Sequence, residues 1–571
     1  MALPPRKLPP LLLDRVIEGR DIASPSSILF TIPREILCLI IGYVASDKMD
    51  LASLALVNST CRQLARSCQF NYLHIDYSPT ALKILAMLQG EALQRYRSSD
   101  RMTVSSSLGA CVRQLKVDTG NYWPRLKSML PPDFIGASAG PDEKEVERAR
   151  CISSTLGEFI NHLYWPAALQ IISTLPNLQS LCVSGCATDD GLVDCLTGLS
   201  IRNLELKGDL LRIPNTRTKQ NSYPLGNTLE TLILETSWEI DFSPNNPNST
   251  RLDASGFYRT LLASCCSNLR RLEFSHRRAN PFKNFKMPGI IELTDMPLSF
   301  YMEFPKLKTL HIGSFTLVDA QVVSCLVREG LTSLGIPYDN DTSQFLSEIG
   351  QIHSLDTISL ECFEATGATL TRFIEANTQI RSLAVSWTVD AFLGRIIQSL
   401  HYHGKLKRLS LAWRETEIPE TSLEKVSLLS SIEILHLSAG DQSGWPHNWF
   451  VDHDKIKTYV SRLSKLRRLI ITRDTYPLPP DDVALFEPGR YYDFRKPGSR
   501  FWTSHETRMY QHAVAYVQTH PVLEFLHIGQ VLFAVEENGG HRRPVVAGSA
   551  WVGETEYNVL KEEFGVRDSS F

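Results

Sequence analysis

Leu355-Asp-Thr-Ile-Ser-Leu360, Ile380-Arg-Ser-Leu-Ala-Val385, Leu406-Lys-Arg-Leu-Ser-Leu411 and Ile432-Glu-Ile-Leu-His-Leu437 share one pattern. An aliphatic residue is followed by a second three places on and a third two places later. The alternation of the last two is that of a strand with one buried face. One such triplet says little, since about 20 would arise by chance in a chain about one third large and apolar. The spacing carries the weight. From Leu307 through Leu331, Leu355, Ile380 and Leu406 to Ile432 the steps are 24, 24, 25, 26 and 26 residues. The same triplet begins at Val112, Leu178, Ile201, Leu229, Leu269, Leu466 and Leu523. Turn-forming pairs such as Pro176-Asn177, Gly404-Lys405 and Ser464-Lys465 stand just before several of them.

Between the strands lie helical patterns. In Asp390–Leu400 the residues Phe392, Leu393, Ile396, Ile397 and Leu400 fall on one face. A strand and a helix every 20–29 residues resembles the leucine-rich repeat. The triplets of neighbouring units cover one another, which no single unit achieves alone. The fold expected is α/β: a three-helix N-terminal module, then an irregular leucine-rich-repeat solenoid with a curved parallel sheet and helices on its convex side. An ordinary α/β domain with a parallel sheet is the alternative. Steps of 34 to 40 and the gaps 112–178 and 466–523 point to insertions, and the asparagine usual a few residues after the triplet in this family is mostly missing. The expected organisation is an extension over 1–27, the helical module at 28–70 and a linker helix within 71–110. The array then runs over 111–530, and a C-terminal cap over 531–571 begins with a hairpin around Glu536–Gly540.

In the N-terminal module, Pro33 suits a first helical turn and Ile36, Leu37, Ile40, Ile41 and Val44 form a stripe. Asp50 is placed to cap a second helix and Asn58-Ser59 a third. Three helices in about 40 residues make a small core, so so wide a stripe expects a partner. Ile32-Pro33, Glu35-Ile36-Leu37, Asp50-Leu51 and Leu54-x-x-Val57 resemble the F-box, with Cys61 where that family usually has tryptophan. The resemblance implies a substrate-recognition subunit of a ubiquitin ligase. The module would dock onto a Skp-type adaptor, and through it a cullin, by Pro33, Ile36, Leu37, Ile40, Leu51, Leu54 and Val57. The array would hold a protein substrate. A scaffold outside any ligase, with the module as a mere cap, is the alternative.

The remaining signals narrow the classes. With 59 Lys+Arg against 62 Asp+Glu the formal charge is −3, which does not suit a general nucleic-acid binder. No apolar run approaches membrane-spanning length, and Met1–Asp14 makes a poor signal peptide, so a cytoplasmic or nuclear location is expected. The 12 cysteines are scattered and expected to be reduced. His401, His403, His447, Asp452, His453 and Asp454 are the nearest approach to a metal set, but they fall in different repeats. No cofactor, metal or catalytic constellation is expected, and the chain is not read as an enzyme.

If the triplets point inward, the residues two, four and six places after each first aliphatic line the concave face. That column supplies the candidate substrate-binding residues Arg271, Glu273, His311, Arg408, His436 and Arg468. Trp387 and Trp413 both stand seven places after a first aliphatic, so their rings are expected to touch. Either they pack as core, or they form an exposed ledge beside Arg408 and His436.

Overall fold

The computed structural model describes residues 32, 34–44, 47–57, 59–76, 78–97, 108–118, 163–185, 190–208, 228–237, 261–277, 303–313, 330–338, 340–362, 368–440, 449–476, 502–529, 531–548, 560 and 563–564. The chain divides into two compact units, Met1–Leu269 and Arg270–Phe571. Both are mixed α/β and built on parallel strands, in the manner of a leucine-rich repeat.

The first unit opens with helices α1 (Arg34–Val44), α2 (Lys48–Val57) and α3 (Ser59–Gln69). Strands β1 (Tyr72–Ile75), β2 (Gln114–Asp118), β3 (Ser180–Ser184), β4 (Asn203–Gly208) and β5 (Thr231–Ser237) follow, all parallel. Helices α4 (Pro79–Arg97), α5 (Leu108–Cys111), α6 (Trp165–Ile172) and α7 (Asp190–Thr197) lie between them in sequence.

In the second unit, β6 (Arg271–Arg277), β7 (Thr309–Gly313), β8 (Ser333–Tyr338), β9 (Thr357–Cys362), β10 (Ser382–Thr388), β11 (Arg408–Trp413) and β12 (Ile434–Ser438) pair in order. A two-residue strand β13 (Trp449–Phe450) pairs with β15 (Asp474–Thr475), while β14 (Arg468–Thr472) continues the main sheet to β16 (Phe525–Ile528). Helices α8 (Asn340–Ile349), α9 (Ala368–Ala376), α10 (Asp390–Ser399), α11 (Glu420–Ser427), α12 (His453–Val460) and α13 (Trp502–Thr519) pack successively against one another.

The thirteen triplets keep one phase. Every member of each is buried. Leu181 pairs with Leu204 and Leu232 follows; Leu383, Leu409, Leu435, Leu469 and Leu526 occupy one row. Each fully buried aliphatic contributes about 1.5–3 kcal/mol, so every added repeat stabilises its neighbour by several.

The strand entries are tied by the main chain. In most repeats the carbonyl of the residue after the first aliphatic accepts two N–H groups from the next repeat. Arg202 and Asn203 donate to Gln179, Lys407 and Arg408 to Arg381, and Glu524 and Phe525 to Arg467, at 2.7–3.1 Å. This backbone ladder needs no particular side chain, so the array holds register without a recurring asparagine. Two asparagines work elsewhere: Asn177 donates to the Ala110 carbonyl at 2.6 Å, and buried Asn377 donates to Phe373 at 2.8 Å and accepts from the Ile352 amide at 2.8 Å.

Two elements depart from the sequence reading. The stretch 71–110 carries β1 as well as a helix: Leu73 and Ile75 pair with Leu115 and Val117. Phe70-x-x-Leu73-x-Ile75 is the same triplet with an aromatic first member, which an aliphatic pattern misses. Helix α2 starts earlier than Asp50, because Asp47 caps it by accepting from the Met49 amide at 2.6 Å. At the far end, β17 (Val531–Asn538) and β18 (His541–Gly548) add to β16 as an antiparallel hairpin. Gly539 and Gly540, with φ of 58° and 80°, supply the left-handed pair of a type I′ turn. The insertions at 119–162, 238–260, 278–302 and 477–501 lie outside the described residues.

Candidate protein-binding faces

In the helical module, Ile41, Leu51, Cys61, Leu64 and Ala65 are buried. Leu51 therefore belongs to the module's own packing, and Leu54 is half-buried. Ile36, Ile40 and Val57, the last 66% exposed, stand in solvent. Pro33 and the side chain of Leu37 lie outside the described residues. Tyr43, Met49 and Leu56 are exposed as well. Sequence reasoning passed over these three because they sit off the helical stripe it followed.

The strand face opposite the triplets has two characters. In the first unit it is charged. Lys116 lies 3.5 Å from Asp118, and Lys207 lies 2.8 Å from Glu205. Asp118 also accepts hydrogen bonds from His74 and Ser184. Burial pushes its pKa up, but the bonds from Ser184 and His74 together with Lys116 outweigh it and hold the carboxyl below its usual value. Asp118 stands between Ser184 and His74, so no nucleophile–base contact is formed. Burial, reinforced by Glu205, pushes the Cys182 thiol up to about 12, which leaves it inert.

In the second unit the same face begins charged and becomes small, apolar and aromatic. Arg271 pairs with the carboxylate of buried Glu273. His311 is buried, its ring lying over Gly335 so closely that a Cβ there would stand 2.1 Å from Nδ1. Arg408 and Arg381 share Asp356 at 3.6 and 3.4 Å. The next positions are Ala384, Ser410, His436, Ile470 and His527, all buried. His436 is only 4% exposed; its Nδ1 lies 2.7 Å from the Ser410 hydroxyl and its Nε2 2.7 Å from that of Thr472. Burial, with a smaller push from neighbouring His527, lowers the His436 pKa to about 3, and burial lowers that of His527 to about 4, so both rings are neutral at pH 7. His436 is therefore a core group, not the exposed contact expected from its column.

The aromatic ledge also falls. Trp413 is wholly buried, and its Nε1 donates to Asp390 at 3.1 Å, tying β11 to the first turn of α10. A register shift between Val385 and Thr388 sets Thr388, not Trp387, opposite Trp413. The side chain of Trp387 is outside the described residues. The extra residue of that bulge moves the two tryptophans out of one row, while the triplets before it stay in phase.

What buries the second unit's face comes from far along the chain. Leu560 and Phe564 cluster with Ala384 and Ile470, and Ile434 and Phe525 pack against them. The Phe564 ring lies 6.2 Å from that of His436, and Glu563 pairs with Arg468. Among the histidine and carboxylate positions weighed for metal binding, Asp452 caps α12 by accepting from the Lys455 amide at 3.0 Å, and Asp454 pairs with Lys457 at 2.7 Å. The His453 ring lies 4.1 Å from that of His512, tilted by 31°. Among the described residues no group of three or more His, Cys, Asp or Glu is placed to hold a metal ion.

No family model matches the chain, and no curated protein matches it. Among solved structures, a leucine-rich-repeat protein of Leptospira interrogans is similar at 13% identity and a TM-score of 0.22, over 56% of this chain and 88% of that one. No helix among the described residues is long and apolar enough to cross a membrane.

Proposed function

We propose that this chain is a protein-recognition subunit. Its repeat array binds a protein partner, and its N-terminal module docks onto a Skp-type adaptor, linking that partner to a cullin ubiquitin ligase. The observation that supports the docking is the set of large apolar side chains left in solvent on so small a module: Ile36, Ile40, Met49, Leu56 and Val57. Covering three or four of them would contribute about 1.5–3 kcal/mol each, the driving force of an ordinary interface. Ile36 and Val57 on that surface belong to the segments Glu35-Ile36-Leu37 and Leu54-x-x-Val57, which resemble the F-box.

The test is co-migration of the full chain with a purified Skp-type adaptor on gel filtration. The native chain is expected to co-migrate. Leu56→Asp and Val57→Asp are expected to abolish the complex without lowering the melting temperature, because both side chains are largely in water. Leu51→Asp is the poorer probe, since burial of an unpaired carboxylate would unfold the module itself. A native chain that elutes apart from the adaptor would sink the ligase reading.

A further inference from the structure

The C-terminal segment that covers the second unit has the form of a bound ligand. Leu560, Glu563 and Phe564 are helical, and their spacing of i, i+3 and i+4 puts all three on one helix face. That face is set against residues from four strands: Ala384 of β10, Ile434 of β12, Ile470 of β14 and Phe525 of β16. Phe564, 1% exposed, is the anchor, and it lies over the ring of His436. Leu560 is the second anchor, and Glu563 meets Arg468 at the rim. Two buried apolar anchors with a charge pair beside them is the arrangement that peptide-in-groove interfaces use.

The receiving surface is made of the residues between triplet members, which the sheet does not need for its own packing. A small residue at Ala384 and Ser410 leaves room, and the His436 ring beneath Phe564 is already satisfied, bonded on both ring nitrogens, to Ser410 and Thr472. The segment's Phe564 therefore covers a floor without leaving those groups unpaired. Leu560 and Phe564 lie beyond β18 in sequence, yet they pack on residues of β10 and β14.

We infer that Leu560, Glu563 and Phe564 act as an internal ligand of this face, and that an external partner bound there presents the same chemistry, a helical segment with leucine, an acid three places later and an aromatic ring at the fourth, and must displace them. The inference rests on the repeat array being the protein-binding part, and it is independent of adaptor docking.

The experiment uses the full chain and a labelled synthetic peptide of its own residues 553–571. The native chain is expected to bind the peptide at least ten-fold more weakly than the Phe564→Asp chain, whose segment is released. The peptide carrying Phe564→Asp is expected to bind neither. In the Phe564→Asp chain, Arg468→Glu should weaken the native peptide, and Glu563→Arg in the peptide should restore it. Arg468 lies at the rim, so single Arg468→Glu in the full chain is a second variant that the array tolerates; it should speed hydrogen exchange at 560–564. Equal or absent peptide binding by native and Phe564→Asp chains overturns the inference. So does a Phe564→Asp chain that no longer folds, or unchanged exchange in Arg468→Glu, since the segment would then be a fixed part of the core. Adaptor co-migration is unaffected by each of these outcomes, which separates this failure from that of the ligase reading.

Discussion

The same strand register carries two unlike faces. In the first unit the positions between triplet members hold Lys116, Cys182 and Glu205, with Asp118 and Lys207 beside them, and the carboxylates and ammonium groups meet at 2.8–3.5 Å near solvent. In the second unit the corresponding positions hold Ala384, Ser410, His436, Ile470 and His527, dry beneath Leu560 and Phe564. The triplet face is alike in both. The array's stability is thus fixed by one side of each strand, and the other side is free to be a wet charged ladder or a covered groove.

The largest expected effect tests that division between the triplet face and the opposite face. Leu409→Asp puts an unpaired carboxylate into the fully buried row at a cost of several kcal/mol, enough to prevent folding of the second unit. Lys116→Ala, on the opposite face of the first unit, should stay within about 0.5 kcal/mol. Denaturant titration of both variants measures the contrast, and similar losses would mean the two faces are not distinct.

Acid should separate the two units next. His436 and His527 have folded values of about 3 and about 4, against 6.5 for the free side chain. Below 6.5 the unfolded chain takes up protons that the folded chain refuses, so stability falls as pH falls, by up to about 1.4 kcal/mol per unit for each ring. Buried His453, lowered to about 3 by burial and by His512, adds to it. In the first unit Asp118 is the shifted acid; its stabilisation is present above 3.8 and lost only as pH falls through its lower folded value. Hydrogen exchange followed from pH 7 to 4 is expected to show the second unit opening first. His436→Asn should flatten the decline, and a stability unchanged down to pH 4 would contradict the burial of these rings.

A smaller effect is expected at Gly335. Its Cβ would collide with the His311 ring, so Gly335→Ala should cost about 1–2 kcal/mol. His311→Ala added to it should recover most of that loss in a calorimetric melt, because the obstacle is then gone. The smallest effect belongs to the charged ladder. Lys207→Ala removes a surface pair with Glu205 and should cost about 0.2–1 kcal/mol at low salt and nothing measurable in 1 M salt.

The sequence alone determined the periodic part. Burial recurs within six residues in each triplet, and from Leu307 to Ile432 the step between triplets is nearly constant, so strand, face and register could be read locally. The Asn538-Gly-Gly540 turn announced its hairpin in the same way, and the helical module was legible from its stripe and breaks. Only the tertiary structure decided what covers the other side of the strands. Alternation tells which residues point away from the triplets, but not whether a later segment buries them: His436 looked like a surface residue until Phe564, more than a hundred residues on, lay over it. One extra residue in β10 likewise moved Trp413 opposite Thr388, a shift no repeat count foretells. Side-chain burial along a strand is a local property that sequence records; occupancy of the opposite face depends on contacts between residues distant in the chain, and those are settled only when the chain folds back on itself.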